Sequence, residues 1–266
     1  MSISARLFLI LLFLFPVALF AQDQYVIQSK YLDQQDDTIH VYKPASMNVD
    51  LVVYMLHGWN DDYGQWFKFK DLQKLADSWN ILIVCPDGLK DSWYFDAQLP
   101  DDNVYYSQFM MNDLIPLIEK EYNIKEQPRI IYGLSMGGYG AFYLYLKYPQ
   151  YFQAALSSSG AFDFTNPLMK HYGIDKRLGD FQENPKIWMR MSMLNLLEKK
   201  DLNENFIFYL DCGTKDPFYK SNIDVADYLK ESKATVFYNE MSGGHNKQFW
   251  KNSVILQLFI INAKEH

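Results

Sequence analysis

Cysteine is almost missing from this 266-residue chain, which has only Cys85 and Cys212. That excludes a disulfide framework of the kind that staples small exported domains. A zinc site is excluded on the same reading, because neither C-x-x-C nor H-E-x-x-H spacing occurs, and no metal or other cofactor is expected. Each cysteine ends an apolar run of strand type, so two buried thiols in neighbouring strands are expected, with a single bridge as the alternative. Positive charge is also in short supply. Lys and Arg number 25 against 32 Asp and Glu, for a net charge of −7 and a pI near 5.2, and the basic footprint of a nucleic-acid binder is absent. Repeats, low-complexity tracts and linkers are lacking too, so residues 22–266 read as one domain.

What the chain does contain is ordinary globular material, 49% hydrophobic and 21% charged. Aromatics reach 17%, more than a core usually needs, so some are expected to line a cleft for flat organic groups or sugar rings. Residues 1–21 read as a secretory signal. Arg6 precedes an apolar run from Leu7 to Phe15, Pro16 breaks it, and Ala21 offers a cleavage point before Gln22. An uncleaved anchor is the rival reading, disfavoured because the run is short for a span, so a secreted or periplasmic protein with no stable membrane span is expected.

Past the signal, Tyr25–Ile27 and Thr38–Tyr42 alternate like an antiparallel pair of edge strands. Asp50–Leu56 and Ile81–Cys85 are continuous apolar runs rich in β-branched residues, the pattern of strands covered on both faces. Helical spacing marks Gln65–Trp79, Phe109–Tyr122, Gly138–Tyr148 and Lys247–Ala263. Further strands are expected at Arg129–Tyr132, Ala154–Ser158, Phe206–Asp211 and Ala234–Tyr238. Strand and helix alternate, which predicts an α/β fold with a mainly parallel sheet flanked by helices. Residues 163–201, with Met169, Trp188, Met189, Met191 and Met193, fit the alternation least. They form either a small helical flap over the carboxyl edge of the sheet or a pair of packing helices.

Gly133-Leu134-Ser135-Met136-Gly137 matches G-x-S-x-G between a strand and a helix, the setting in which a strained turn projects a serine hydroxyl. Gly133, Gly137, Gly138 and Gly140 leave room where strand and helix crowd together. A serine hydroxyl needs a base, and histidine suits that role. Of five histidines, His245 lies in a Gly-rich loop between the last strand and the closing helix; His40 falls in a strand, His171 in the 163–201 segment and His266 at the terminus. The order serine, acid, histidine confines the acid to the stretch between Ser135 and His245. Asp216, in the loop after the strand Phe206–Asp211, is the choice over Asp211, still within the strand, and Asp224, at a helix start. Backbone amides of Met136 and Trp59 are the expected oxyanion donors, with His57 bracing the second loop.

His57-Gly58-Trp59, Pro86-Asp87-Gly88, Gly133-Leu134-Ser135-Met136-Gly137-Gly138, Gly213-Thr214-Lys215-Asp216 and Gly243-Gly244-His245 together resemble the esterase D family of α/β-hydrolases. That family includes feruloyl and acetyl-xylan esterases, tributyrin esterases, S-formylglutathione hydrolase and the antigen 85 mycolyltransferases. The resemblance implies an α/β-hydrolase fold, a triad of Ser135, Asp216 and His245, and oxyanion amides at Trp59 and Met136. It also places Trp93 and Tyr94 near the acyl or leaving group, against the plainer reading that Trp93 packs its loop. The function expected is hydrolysis of carboxylic esters through an acyl-enzyme, on acyl or feruloyl esters of carbohydrates or on short-chain esters. Acyl transfer to a sugar hydroxyl is the alternative, and a non-catalytic carbohydrate-binding relative is a third reading.

Overall fold

The computed structural model describes residues 22–69 and 72–265, the side chains of 262–265 excepted. The signal reading of residues 1–21 lies outside the described residues, as does His266.

Chain order runs through β1 (Gln22–Gln28), β2 (Asp36–Tyr42), β3 (Leu51–Leu56), α1 (Leu72–Trp79) and β4 (Ile81–Cys85). There follow α2 (Tyr106–Phe109), α3 (Ile115–Tyr122), β5 (Arg129–Leu134), α4 (Met136–Lys147) and β6 (Ala154–Ser158). The short helices α5 (Asp175–Leu178), α6 (Pro185–Met191) and α7 (Met193–Leu197) precede β7 (Ile207–Gly213), α8 (Tyr219–Glu231), β8 (Thr235–Met241) and α9 (Lys247–Glu265). The strands of the described residues make one sheet in the order β1-β2-β4-β3-β5-β6-β7-β8. From β4 to β8 every pairing is parallel, while β2 runs antiparallel to both β1 and β4.

Burial on both faces explains the continuous apolar runs. Val52, Tyr54 and Leu56 of β3 face the larger cluster, with Phe142 and Leu144 of α4 and Val225 and Leu229 of α8. Their alternates Leu51, Val53 and Met55 face the smaller cluster, with Leu72 and Ala76 of α1 and Val254 and Leu258 of α9. A strand whose successive side chains enter two different cores has no polar side to show.

Several expectations need correction. β2 is not an edge strand: it lies between β1 and β4, and most of it is buried. The predicted helix Gln65–Trp79 is interrupted. A 3-10 segment, Tyr63–Lys68, is capped by the Asp62 carboxylate accepting from the Gly64 amide at 2.7 Å, and α1 begins only at Leu72. Phe109–Tyr122 starts earlier, at Tyr106, and passes through a π-helical turn at Met110–Leu114. Cys85 and Cys212 are free and buried, but not in neighbouring strands, because β3, β5 and β6 stand between β4 and β7. At about 4.8 Å per strand step they are roughly 19 Å apart, far beyond disulfide reach.

Candidate active site

The chain leaves β3 for β4 on one side of the sheet and reaches β5 and β6 on the other, so strand order reverses between β3 and β5. Open α/β sheets bind ligands at the carboxyl ends of strands beside such a reversal. Here Leu56 is level with Gly133, which brings the loop after β3 alongside the turn after β5.

Ser135 is that turn. With φ 53° and ψ −116° it occupies backbone space that a residue with a Cβ avoids, at about 1–3 kcal/mol. Its neighbours hold it there: its amide donates to the Ser158 carbonyl at 2.9 Å, and its carbonyl accepts from Tyr139 at 3.1 Å and Ala161 at 3.2 Å. The first turn of α4 lies hard against the end of β3. A Cβ on Gly137 would stand 2.1 Å from the Leu56 carbonyl oxygen, so only glycine fits.

His245 Nε2 is 2.9 Å from Ser135 Oγ, and His245 Nδ1 is 2.9 Å from Asp216 Oδ2. The Asp216 carboxylate is fully buried, and its other oxygen accepts from the Phe218 amide at 2.8 Å. The loops carrying Asp216 and His245 are tied together, since Thr214 and Lys215 donate backbone hydrogen bonds to Met241 (3.0 Å) and Gly243 (2.8 Å). The imidazole is clasped edge-on by Phe218 (centroids 5.0 Å) and Trp250 (4.9 Å). All three residues singled out from sequence are thus brought into one hydrogen-bonded line. The rival carboxylates go elsewhere: Asp224 pairs with Lys220 on α8, and Asp211 sits in the network below.

The Met136 amide opens α4, where the first amides of a helix have no intrahelical acceptor. In the loop after β3, the amides on either side of Trp59 are engaged, Gly58 with Gln65 Oε1 (3.0 Å) and Asn60 with the Lys90 carbonyl (2.8 Å). His57 is completely buried, with Nδ1 2.7 Å from the Gly58 carbonyl oxygen and Nε2 against the Asp87 carbonyl oxygen. Burial pushes its pKa down. It stands as a brace between the loops after β3 and β4. Behind it, the buried Asp37 carboxylate accepts from the amides of Asp87 (2.9 Å) and Gly88 (3.1 Å) and from the Tyr106 hydroxyl (2.9 Å), and burial raises its pKa to about 7.

Trp93 and Tyr94, expected to touch substrate, are 1% and 0% exposed. Positive φ values of 54° and 60° turn the chain there, and both rings go into the core. Trp93 packs on Phe164 (5.2 Å) and Tyr139 (6.1 Å), while Tyr94 packs on Tyr106 (5.1 Å) and donates to the His57 carbonyl at 3.1 Å. They support the site from behind.

The family model described as "Putative esterase" matches residues 29–257. The chain belongs to this esterase family. It is accordingly a carboxylic-ester hydrolase with the α/β-hydrolase fold. Among its relatives, the acetyl esterase of Caldicellulosiruptor saccharolyticus is 28% identical over 227 residues, 80% of this chain and 81% of the relative. A solved ferulic acid esterase superimposes with a TM-score of 0.74 at 20% identity, over 91% of this chain and 97% of that one. The S-formylglutathione hydrolase of Agrobacterium tumefaciens gives 0.76 at 20% identity, over 91% and 94%.

Sequence reasoning missed several parts of this esterase site. Asp211 of β7 is buried and accepts from Ser158 of β6 (2.9 Å) and Ser253 of α9 (2.5 Å); Ser158 also receives the Tyr132 hydroxyl of β5 (3.1 Å). One carboxylate therefore joins the strands leading to Ser135 and Asp216 with the helix following His245. A carboxylate inside an otherwise apolar strand was the available signal. Phe218, Trp250 and Tyr172 carried none, because an aromatic in a loop looks the same whether it walls a site or fills a core. The 163–201 segment was expected as either a flap or a pair of packing helices, and its helices pack. Trp188, Met191 and Met193 pack in the core through α6 and α7, whereas Tyr172 reaches Trp59, with ring centroids 5.3 Å apart.

Proposed function

We propose that this esterase works through an acyl-enzyme on Ser135, with His245 as general base and acid and Asp216 orienting it. The observation that carries this reading is the line Asp216, His245, Ser135, with both links at 2.9 Å. Ser135 Oγ attacks the ester carbonyl while His245 Nε2 takes its proton, and the Asp216 carboxylate stabilises the resulting imidazolium. The new oxyanion faces the amides of Met136 and Trp59; one such donor is commonly worth about 3 kcal/mol of barrier. The tetrahedral carbon then expels the alkoxide, which leaves as alcohol with the proton from His245. Water, deprotonated by His245 in turn, releases the carboxylic acid and restores Ser135.

The substrates proposed are acyl or feruloyl esters of carbohydrates, or short-chain esters. A relative named acetyl esterase and a structural neighbour named ferulic acid esterase support that range. The leader-like pattern of residues 1–21 supports an exported enzyme of one domain, residues 22–266. Among the described residues no helix is long and apolar enough to cross a membrane.

Ser135→Ala should reduce hydrolysis of p-nitrophenyl acetate to the buffer rate and abolish labelling by a fluorophosphonate probe, with the circular-dichroism spectrum unchanged. Turnover at the wild-type rate would sink the proposal.

A further inference from the structure

Tyr172 closes a gap that the reaction itself leaves open. Its ring stands edge-on to Trp59, with centroids 5.3 Å apart at 89°, and tilted against Phe218 at 5.9 Å. Phe218 in turn meets His245 edge-on at 5.0 Å. A continuous run of rings thus extends from the loop presenting the Trp59 amide to the imidazole that serves Ser135, and Tyr172 is its middle member. The Asp216 carboxylate is near enough to add to the effect of burial in raising the pKa of the Tyr172 phenol.

The segment that holds this ring is anchored on both sides. Before it, Asn166 Oδ1 accepts from Leu168 (3.0 Å) to cap the 3-10 turn Pro167–His171, and the Tyr172 amide donates to Met169 at 3.1 Å. After it, Gly173 takes φ +62° and lets the chain bend beside the Trp59 indole. Lys176 pairs with Asp91 at 2.6 Å, and Arg177 with Asp91 at 3.2 Å and Asp102 at 3.0 Å. Met169 and Ile174 are fully buried. Tyr172 is therefore a fixed wall, not a swinging lid.

In the tetrahedral intermediate the oxyanion points to the amides of Met136 and Trp59, and the departing alcohol to His245. The acyl substituent takes the remaining direction on that carbon, and the ring run flanks the space between those two places. We propose that Tyr172 limits the length of acyl group accepted, restricting this esterase to short aliphatic acyl chains. The inference rests on the acyl-enzyme reading and narrows it, setting feruloyl and long-chain groups aside.

The test keeps the alcohol constant and varies the acyl group. The full-length enzyme is assayed on p-nitrophenyl acetate, butyrate and octanoate and on methyl ferulate. Wild type should show kcat/KM falling steeply with acyl length. Tyr172→Ala should raise the octanoate-to-acetate ratio of kcat/KM by about tenfold or more, a pocket change of a few methylenes being worth that much. Tyr172→Phe, which keeps the ring, should retain the wild-type profile, and Tyr172→Leu serves if the alanine variant melts too low to assay. Parallel profiles for wild type and Tyr172→Ala overturn the proposal. So does a change confined to a series of acetate esters with different alcohols, which would put the ring on the leaving-group side. Loss of all turnover in Ser135→Ala bears on the nucleophile alone, so the two readings fail separately.

Discussion

At the scale of single residues, the three carboxylates weighed as partner for His245, namely Asp211, Asp216 and Asp224, separate by environment. Asp216→Asn keeps an acceptor for the Phe218 amide but loses the charge that stabilises an imidazolium, so kcat on p-nitrophenyl acetate should fall by about 10²–10⁴-fold with little change in thermal midpoint. Asp224→Asn, on a helix face, should leave kcat unchanged. Asp211 differs from both: burial raises its pKa from 3.8 to about 6. Between those values the folded chain holds a proton that the unfolded chain has released, so Asp211's contribution is complete below about pH 4 and lost as pH rises through 6. Relative to Asp211→Asn, which does not titrate, wild type should therefore lose stability between pH 4 and pH 8. The full loss is about 3 kcal/mol, and urea unfolding at the two pH values measures it. Gly137→Ala is a different kind of change. Its new methyl meets backbone instead of a flexible side chain, and the expected result is about 1–3 kcal/mol of destabilisation, read as a drop in thermal midpoint, together with lost turnover.

At the scale of elements, α5 has only 4 residues and little helical stability of its own. What fixes it is Arg177, whose side chain is 12% exposed and divided between Asp91 and Asp102. Arg177→Ala leaves a poorly hydrated Asp102 carboxylate, 8% exposed, without its cation, at about 1–3 kcal/mol. Limited proteolysis should then cut within residues 166–180 sooner than in wild type; equal resistance would show that the buried Ile174 and Leu178 suffice. Elements of this sort were the hardest to read in advance. β4 was legible to the residue because a β-branched run buried on both faces allows one interpretation, and β6 because its small and apolar residues are buried throughout; α4 was found to within two residues because a glycine-bearing turn must precede it. The 65–79 stretch was misjudged because Asp62 caps a separate 3-10 turn, Tyr63–Lys68, which apolar periodicity does not distinguish from the first turn of a longer helix. β2 was placed at the edge because its alternation suggested a wet face, yet β1 covers its free side.

At the scale of the whole molecule, the meeting of Ser135, Asp216 and His245 was legible where side-chain direction was not. Ser135, Asp216 and His245 could be placed because each must follow a strand at the same edge of one sheet. Trp93 and Tyr94 could not, because a turn through positive φ decides whether a ring faces cleft or core, and nothing in their neighbours' identity reveals it. The cysteines illustrate the same limit: strand membership could be read, but strand order, which separates β4 from β7, could not. Since both thiols are free and buried, dithiothreitol should leave the thermal midpoint unchanged. A thiol reagent should count two groups in urea and react slowly with the native enzyme; a midpoint lowered by reductant would contradict the arrangement.

The edge of the Trp250 indole against His245 gives this enzyme a light of its own. An indole in contact with an imidazole is quenched when that imidazole carries a proton, so emission from this one tryptophan should dim whenever the base becomes charged. Subtracting the spectrum of Trp250→Phe from that of wild type isolates the signal from the other five tryptophans. A change of charge on the His245 imidazole then has an optical readout in the resting enzyme, recorded without substrate or turnover.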